Sequence, residues 1–271
     1  MTEPDLTPDP GAVSSQSPGS PDDPGAVRST HPGRVTLVGG GPGDPGLVTL
    51  AGAAALISAD VVLTDHLAPS SLIHELNPEA EVIDVGKLPR GEFTPQETIN
   101  SRLIELAREG KDVVRLKGGD SFVFGRGGEE WLACTAAGVE VTVIPGVTSA
   151  VAVPELAGIP VTHRGITQGF AVISGHVTPD DPRNQANWAS LATSGLTLVI
   201  LMGVKSLPKI TATLIADGRD PETPAAVVAD GGLPSQRRID GTLATIAALA
   251  EAEGIAPPAV CVIGEVVHAL G

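Results

Sequence analysis

Strand-sized β-branched runs alternate with helical patterns from Arg34 to the end of the chain, and this alternation constrains the fold more than any other feature. "RVTLVG", "DVVLTD", "EVIDVG", "DVVRLKGGD" and "EVTVIPG" read as strands, with "LVTLAGAAALISA", "TPQETINSRLIELAREG" and "EEWLACTAAG" as helices among them. In the longest helix Thr94 and Glu97 have capping-box spacing and Pro95 suits the first helical position. Ile99, Leu103 and Leu106 form its apolar stripe, and Gly110 is its stop. Strands linked through helices by short loops pair in parallel, so a mostly parallel sheet covered on both faces is expected. A second series follows, with strand-like "GFAVISGH", "LTLVILMG", "PAAVVADG" and "PAVCVIGE" and helices "SLPKITATLIADG" and "TLATIAALAEAEG". The expected fold is therefore α/β, as two α/β domains over residues 34–167 and 168–271 with a linker near Gly165 to Gly169. Ligands of such paired domains sit in the cleft at the carboxyl ends of the strands.

Ahead of this pattern, residues 1–33 are Pro, Ser, Gly and Asp with almost nothing to bury, and read as a disordered tail. The chain has 271 residues and is 42% hydrophobic but only 2% aromatic, so its core is built from Val, Leu, Ile and Ala. A net charge of -15 argues against non-specific nucleic-acid binding, which needs a positive face. It leaves room for an anionic small substrate in a local basic cleft. Cys134 and Cys261 lie far apart without metal-ligand spacing and read as buried small hydrophobes, so no metal is expected. No apolar run approaches the roughly 20 residues of a membrane helix, and the amino terminus lacks signal-peptide character. A cytoplasmic protein without a membrane partner is expected.

"VTLVGGGPGDPGLVTL" satisfies the dinucleotide pattern G-x-G-x-x-G through Gly41, Gly43 and Gly46. Its physics argues otherwise. A diphosphate needs backbone N–H donors at this loop, yet Pro42 and Pro45 have none and Asp44 adds a negative charge. A cationic or zwitterionic ligand suits the loop better, and a tight turn without ligand contact stays open as the alternative. In "RLKGGDSFVFGRGGEE", Gly118 and Gly119 permit close backbone approach, Asp120 presents a carboxylate, and Arg126 stands among glycines before a helix. A third loop, "VIPGVTSA", places Thr148 and Ser149 at a helix start, where simple capping competes with ligand contact. Met202 ends the strand "TLVILMG".

Residues 35–267 resemble the uroporphyrinogen-III C-methyltransferase family within the tetrapyrrole methylases. The resemblance is carried by "VGGGPGDPGLVTL", "ADVVLTDHL", "VGK", "PQETIN", "VVRLKGGDSFVFGRGGEE", "VIPGVTSA", "AGIPVTHR", "SGH", "LVILMG", "SQRRIDGTL" and "VIGEVV", in that order. It implies a homodimeric fold of the tetrapyrrole methylase type with S-adenosyl-L-methionine in the interdomain cleft. By position, the contacts to this co-substrate are Pro42, Gly118, Gly119, Asp120, Val123, Thr148, Ser149, Met202 and Gly231. Asp65 matches the family's proton acceptor and Lys87 its proton donor. The implied substrate, uroporphyrinogen III, carries eight carboxylates. Arg126, Arg164 and His163 are the binding cations expected for it, with Arg90, Lys117 and His176 as further candidates.

The implied activity is methylation of uroporphyrinogen III at C2 and C7, through precorrin-1 to precorrin-2, feeding sirohaem and cobalamin synthesis. A sibling precorrin methylase, a dinucleotide-dependent oxidoreductase and a silent tetrapyrrole-binding protein are the alternatives. The sequence departs from the family pattern at Thr64 for Tyr, Ser121 for Pro, Leu88 for Arg, and Gly165 and Ile166 for Asp-Tyr. These changes fall on the substrate side more than on the co-substrate loops.

Overall fold

Two five-stranded sheets organise the chain in a computed structural model that describes residues 32–86 and 94–271. The first has the order β3-β2-β4-β1-β5, from β1 (Arg34–Gly39), β2 (Val61–Thr64), β3 (Glu81–Asp84), β4 (Asp112–Lys117) and β5 (Glu140–Ile144). All four of its pairings are parallel, as the crossover helices require. In register, Gly39 stands opposite Lys117 and Val38 opposite Ile144, so the loops leaving β1, β4 and β5 emerge side by side.

One face of this sheet presents Val35, Leu37, Val61, Leu63 and Val113 to α3 (Gln96–Arg108) and α4 (Gly127–Ala136). The other presents Val38, Val62, Val114 and Leu116 to α1 (Leu50–Ile57) and α2 (Ser70–Leu76). The apolar stripe of α3 is buried as expected, through Ile99, Leu103 and Leu106, and Gly110 has a positive φ of 84° just past its end. Its start differs from the expectation. Pro95 is the N-cap, with an extended ψ of 140°, helix begins at Gln96, and no side-chain cap forms; Gln96 bonds Glu130.

The second sheet has the order β6-β7-β10-β8-β9, from β6 (Phe170–Ser174), β7 (Thr197–Leu201), β8 (Pro224–Ala229), β9 (Arg237–Thr242) and β10 (Ala259–Ile263). Only β6 and β7 are parallel; the pairings of β10 with β7 and β8, and of β8 with β9, are antiparallel. The second α/β series thus gives a mixed sheet, because β8 turns directly into β9. Alternate residues fill two cores. Leu198, Ile200, Ala225, Val227, Cys261 and Ile263 face α6 (Trp188–Thr193), α7 (Leu207–Ala216) and α8 (Ile246–Ala252). Val199, Ala226, Val228, Val260 and Val262 pack on Ala150 and Val153 of α5 (Ser149–Leu156). Helix α5 therefore starts at the carboxyl end of the first sheet and is packed onto the second.

Pro32–Gly271 form one compact unit. Gly33, expected in the tail, belongs to it: a methyl built there would lie 2.4 Å from the carbonyl oxygens of Ala107 and Lys111. Residues 1–31 of the expected tail lie outside the described residues, as do Lys87, Leu88 and Arg90.

Candidate active site

At the carboxyl end of the first sheet three loops are closed backbone to backbone. Gly41 and Gly119 exchange hydrogen bonds, N to O, at 3.1 and 2.6 Å. A methyl built on Gly146 would meet Gly119 O at 2.5 Å and Gly39 C at 2.5 Å, so only glycine fits where these strands' exits cross. Asp120 locks the arrangement: its Oδ1 accepts from Phe122 N at 2.9 Å and its Oδ2 from Gly146 N at 3.1 Å, joining the loops after β4 and β5. Ser149 lies against Gly119, since a methyl on Gly119 would stand 3.3 Å from its hydroxyl. Thr148 is the N-cap of α5, its hydroxyl accepting from Ala150 N at 3.3 Å.

Five amides of the β1 loop are committed within the protein. Gly40 N donates to Lys117 O, Gly41 N to Gly119 O, Gly46 N to Asp44 Oδ1, Leu47 N to Asp44 O and Val48 N to Pro45 O. Thr49 caps α1 through Gly52 N at 3.1 Å. With Pro42 and Pro45 lacking donors, this loop offers no cradle of N–H groups for a diphosphate. Asp44 acts as a local cap on Gly46.

The second sheet reaches the same place through two turns in left-handed conformation. Met202 follows β7 with φ 58° and is 48% exposed; Asp230 follows β8 with φ 52°. The next residue, Gly231, packs so closely on Val153 of α5 that a methyl there would stand 2.4 Å from Val153 Cγ1. Gly232 lies against Pro42, 3.3 Å from a methyl position to its Cγ, which joins the β1 loop to the β8 loop. The geometry thus gathers Pro42, Gly119, Asp120, Thr148, Ser149 and Gly231 from six expected positions. Gly118 is near as well, but the backbone it approaches is the chain's own Leu67, whose carbonyl oxygen would lie 2.9 Å from a methyl position. Val123, 36% exposed between Phe122 and Phe124, follows Asp120 on the same loop.

Asp65 leaves β2 beside this block. Its Oδ1 accepts from Leu67 N at 3.1 Å and its Oδ2 from Arg115 Nη2 at 3.2 Å. Behind it stands a charge cluster that sequence reading missed. Arg115, Lys117 and Glu130 are 3%, 5% and 0% exposed. A single oxygen, Glu130 Oε1, accepts from Arg115 Nε at 3.2 Å, Lys117 Nζ at 3.1 Å and Gln96 Nε2 at 3.1 Å. Burial and the neighbouring Arg115 push the Lys117 ammonium below its ordinary value, with Glu130 opposing. The signal was present: Val113, Arg115 and Lys117 alternate on one face of a strand whose neighbours are apolar, so that face buries two cations. Lys117 therefore faces Glu130 in the interior and is no substrate-binding cation.

The expected substrate cations do not converge on this place. Arg126, itself at φ 57°, pairs with Glu129 through two 2.8 Å bonds on the surface, which raises its own pKa and lowers that of Glu129. His163 Nδ1 lies 2.9 Å from Arg164 O in the turn before β6. That turn is at the opposite end of the second sheet from Met202, which follows the parallel neighbour β7. His176 follows β6 and lies at the Met202 end. Lys87 lies outside the described residues. Among the described residues no three His, Cys, Asp or Glu side chains group as metal ligands.

Loops from both sheets meet around Pro42, Gly119, Asp120 and Gly231, with the half-buried carboxylate of Asp65 beside them, in a paired α/β protein. The family model for Tetrapyrrole (Corrin/Porphyrin) Methylases matches residues 34–247, and the chain belongs to that family. It is 47% identical over 236 residues to an S-adenosyl-L-methionine-dependent uroporphyrinogen III methyltransferase of Methanosarcina barkeri, covering 87% of this chain and 92% of that one. It is 50% identical over 236 residues to a siroheme synthase of Neisseria meningitidis, of which it spans 48%. The fold matches a uroporphyrin-III C-methyl transferase of Thermus thermophilus, solved with S-adenyl homocysteine, with a TM-score of 0.73 and 40% identity over 88% of this chain and all of that one.

Proposed function

We infer that this chain is an S-adenosyl-L-methionine-dependent uroporphyrinogen-III C-methyltransferase, acting twice to give precorrin-2 by way of precorrin-1. Its relatives of near-equal length supply the substrate class. The siroheme synthase match supports delivery to sirohaem synthesis, with cobalamin synthesis as the second outlet. The observation that carries the reading is Asp65, a carboxylate anchored by Arg115 and Leu67 N at the carboxyl end of the first sheet, beside the loops that follow β1 and β4.

The residues present fit the proposed co-substrate. Val123 and Met202 offer exposed apolar surface, Ser149 a hydroxyl, and Asp120 a carboxylate fixed by two amides. S-adenosylmethionine supplies an electrophilic methyl group on a cationic sulfur. Pro42, the glycines of the three loops and Gly231 set the shape that orients it, and orientation is the main demand where charge is lost in the transfer. C-methylation leaves the acceptor ring with one positive charge, which loss of one ring proton to Asp65 discharges; a proton that Lys87 adds during double-bond rearrangement is matched by a second one lost from the ring, so each transfer releases one proton net. The departures at Thr64 and Ser121 spare this arrangement: Thr64 is buried and bonds Asp65 O through its hydroxyl, and Ser121 is buried beneath Gly127.

The reading extends to a two-domain division at 167/168, supported by the two sheets, to a homodimer, supported by the exposed Phe122 and Phe124, and to the cytoplasm. No helix among the described residues is long and apolar enough to cross a membrane. Incubation with uroporphyrinogen III and methyl-labelled S-adenosylmethionine is expected to place two labelled methyls per macrocycle. Asp65→Asn is expected to lower kcat about 10²–10⁴-fold with binding of the co-substrate retained. Co-substrate binding without methylation of this macrocycle would transfer the assignment to a later precorrin; calorimetric binding of NADPH in its place would overturn it.

A further inference from the structure

We propose that Glu130 is a positioning residue for the reaction: from the interior it holds Arg115 against Asp65 and balances the charge that sets how readily Asp65 takes a proton. The proposal rests on the reading of Asp65 as proton acceptor. Four ionised groups are joined in one chain of contacts, Asp65 to Arg115 at 3.2 Å, Arg115 to Glu130 at 3.2 Å, and Glu130 to Lys117 at 3.1 Å. Two are cations and two are carboxylates, so the set is neutral when all are ionised. Three of them have side chains 0–6% exposed; the Asp65 side chain, at 22%, is the member that meets the site.

A cluster built only for stability has no need of this layout, because buried ion pairs of this kind are often neutral or worse than apolar packing. The arrangement gives Asp65 a defined electrostatic environment instead. Arg115 is held from three sides, by Glu130 at Nε and by Leu116 O and Leu63 O at Nη1, so Nη2 is left aimed at Asp65. Arg115 thus stands between two carboxylates, Asp65 on the site side and Glu130 on the interior side, and Lys117 lies 3.1 Å from the same Glu130 oxygen.

Other ionisable groups face this chain of contacts among the described residues: from α4, Cys134, whose thiol is pushed up by burial and the Glu130 charge, and the surface pair Arg126–Glu129, which feels Glu130 and Lys117. His66 follows Asp65 in sequence, with its Nδ1 2.9 Å from a methyl position on Gly86, and Asp84 is occupied by Gly86 N at 2.7 Å. From α3 the cluster meets only neutral amides, Gln96 and, through it, Asn100.

The test compares Glu130→Gln with the charge-balanced double variant Glu130→Gln/Lys117→Met in the full chain. In Glu130→Gln two cations face Asp65 alone, so kcat falls about tenfold or more and the acidic limb of the kcat profile moves down by about one pH unit. The KM for S-adenosylmethionine holds. The double variant folds and leaves Arg115 as the one cation of the cluster beside Asp65, so its acidic limb lies between that of Glu130→Gln and that of the unaltered protein. A purely structural role predicts the reverse order, with the double variant less stable and less active than the single one and the limb unmoved in both. That order, or a double variant that fails to fold, overturns the proposal. Asp65→Asn separates the underlying reading: if it turns over normally, the role of Asp65 itself falls. If it is inactive while Glu130→Gln keeps the original kcat and limb, only the inference about Glu130 falls.

Discussion

The two sheets solve the same packing problem with different materials. The second is apolar through the centre of its sheet: β8 buries Ala225, Ala226, Val227, Val228 and Ala229 on two faces, and β10 and β7 after Thr197 do likewise. The first is apolar on its α1–α2 face but carries Arg115 and Lys117 into its α3–α4 face and closes its exits with glycine on glycine. The difference teaches where function was built. The second sheet supplies a rigid wall and two turns, at Met202 and Asp230. The first holds the charge and the close approaches, both costly unless every partner is in place.

This comparison breaks most sharply at Gly146. A methyl there meets backbone at 2.5 Å on both sides, where no side chain can move away. Gly146→Ala is expected to cost several kcal/mol, about 3 or more, and to lower the melting temperature by roughly 10 °C with activity lost. Gly128→Ala, in α4 with open space around it, is expected to hold or gain stability. Equal effects of the two changes would refute the closed-loop account.

Next in size is Ile200→Ala in the second sheet, a fully buried side chain whose loss costs about 2–5 kcal/mol. Because that sheet acts as scaffold, kcat per folded molecule at 25 °C should stay within about twofold. A large loss of kcat in soluble, folded protein would place the second sheet nearer the chemistry than its composition implies.

Each region buries one cysteine, which permits a matched comparison with base. Burial and the Glu130 charge push the Cys134 thiol up to about 11, and burial alone pushes Cys261 to about 12, from an ordinary 9.0. The folded protein therefore keeps protons that the unfolded chain has released, so stability falls as pH rises above about 9. The loss is about 1 kcal/mol per thiol between roughly pH 9 and pH 10. Denaturant titrations of Cys134→Ala and Cys261→Ala should each show a shallower alkaline decline; unchanged slopes would show that other groups dominate.

The smallest effect belongs to Ser121, whose buried hydroxyl has no partner among the described residues. Ser121→Ala removes that group and should shift stability by less than about 1 kcal/mol, in the favourable direction. A loss above that would reveal a partner for the hydroxyl.

Much of this was legible beforehand because it depends on neighbours in sequence. Periodicity marked nine of the ten strands; the one passed over, β9, is a polar edge strand whose "RRIDGT" lacks a continuous apolar run. The short helices α2 and α6, seven and six residues long, left too little pattern to read. The missing donors of Pro42 and Pro45 argued against a diphosphate before the committed amides of Gly40, Gly41 and Gly46 were known. The capping box at Thr94 misled because Pro95, with its extended ψ of 140°, is itself the N-cap, and Gln96 bonds Glu130.

What the sequence determined by itself is which segments bury and which loops bend, since apolar period and proline or glycine stereochemistry act within a few residues. Strand direction in the second sheet, the meeting of Gly39, Gly119 and Gly146, and the union of Asp65, Arg115, Glu130 and Lys117 were decided only in three dimensions. Coulomb attraction and steric exclusion act through space, and groups carried on different elements of the chain acquire their chemistry only when folding removes the water between them.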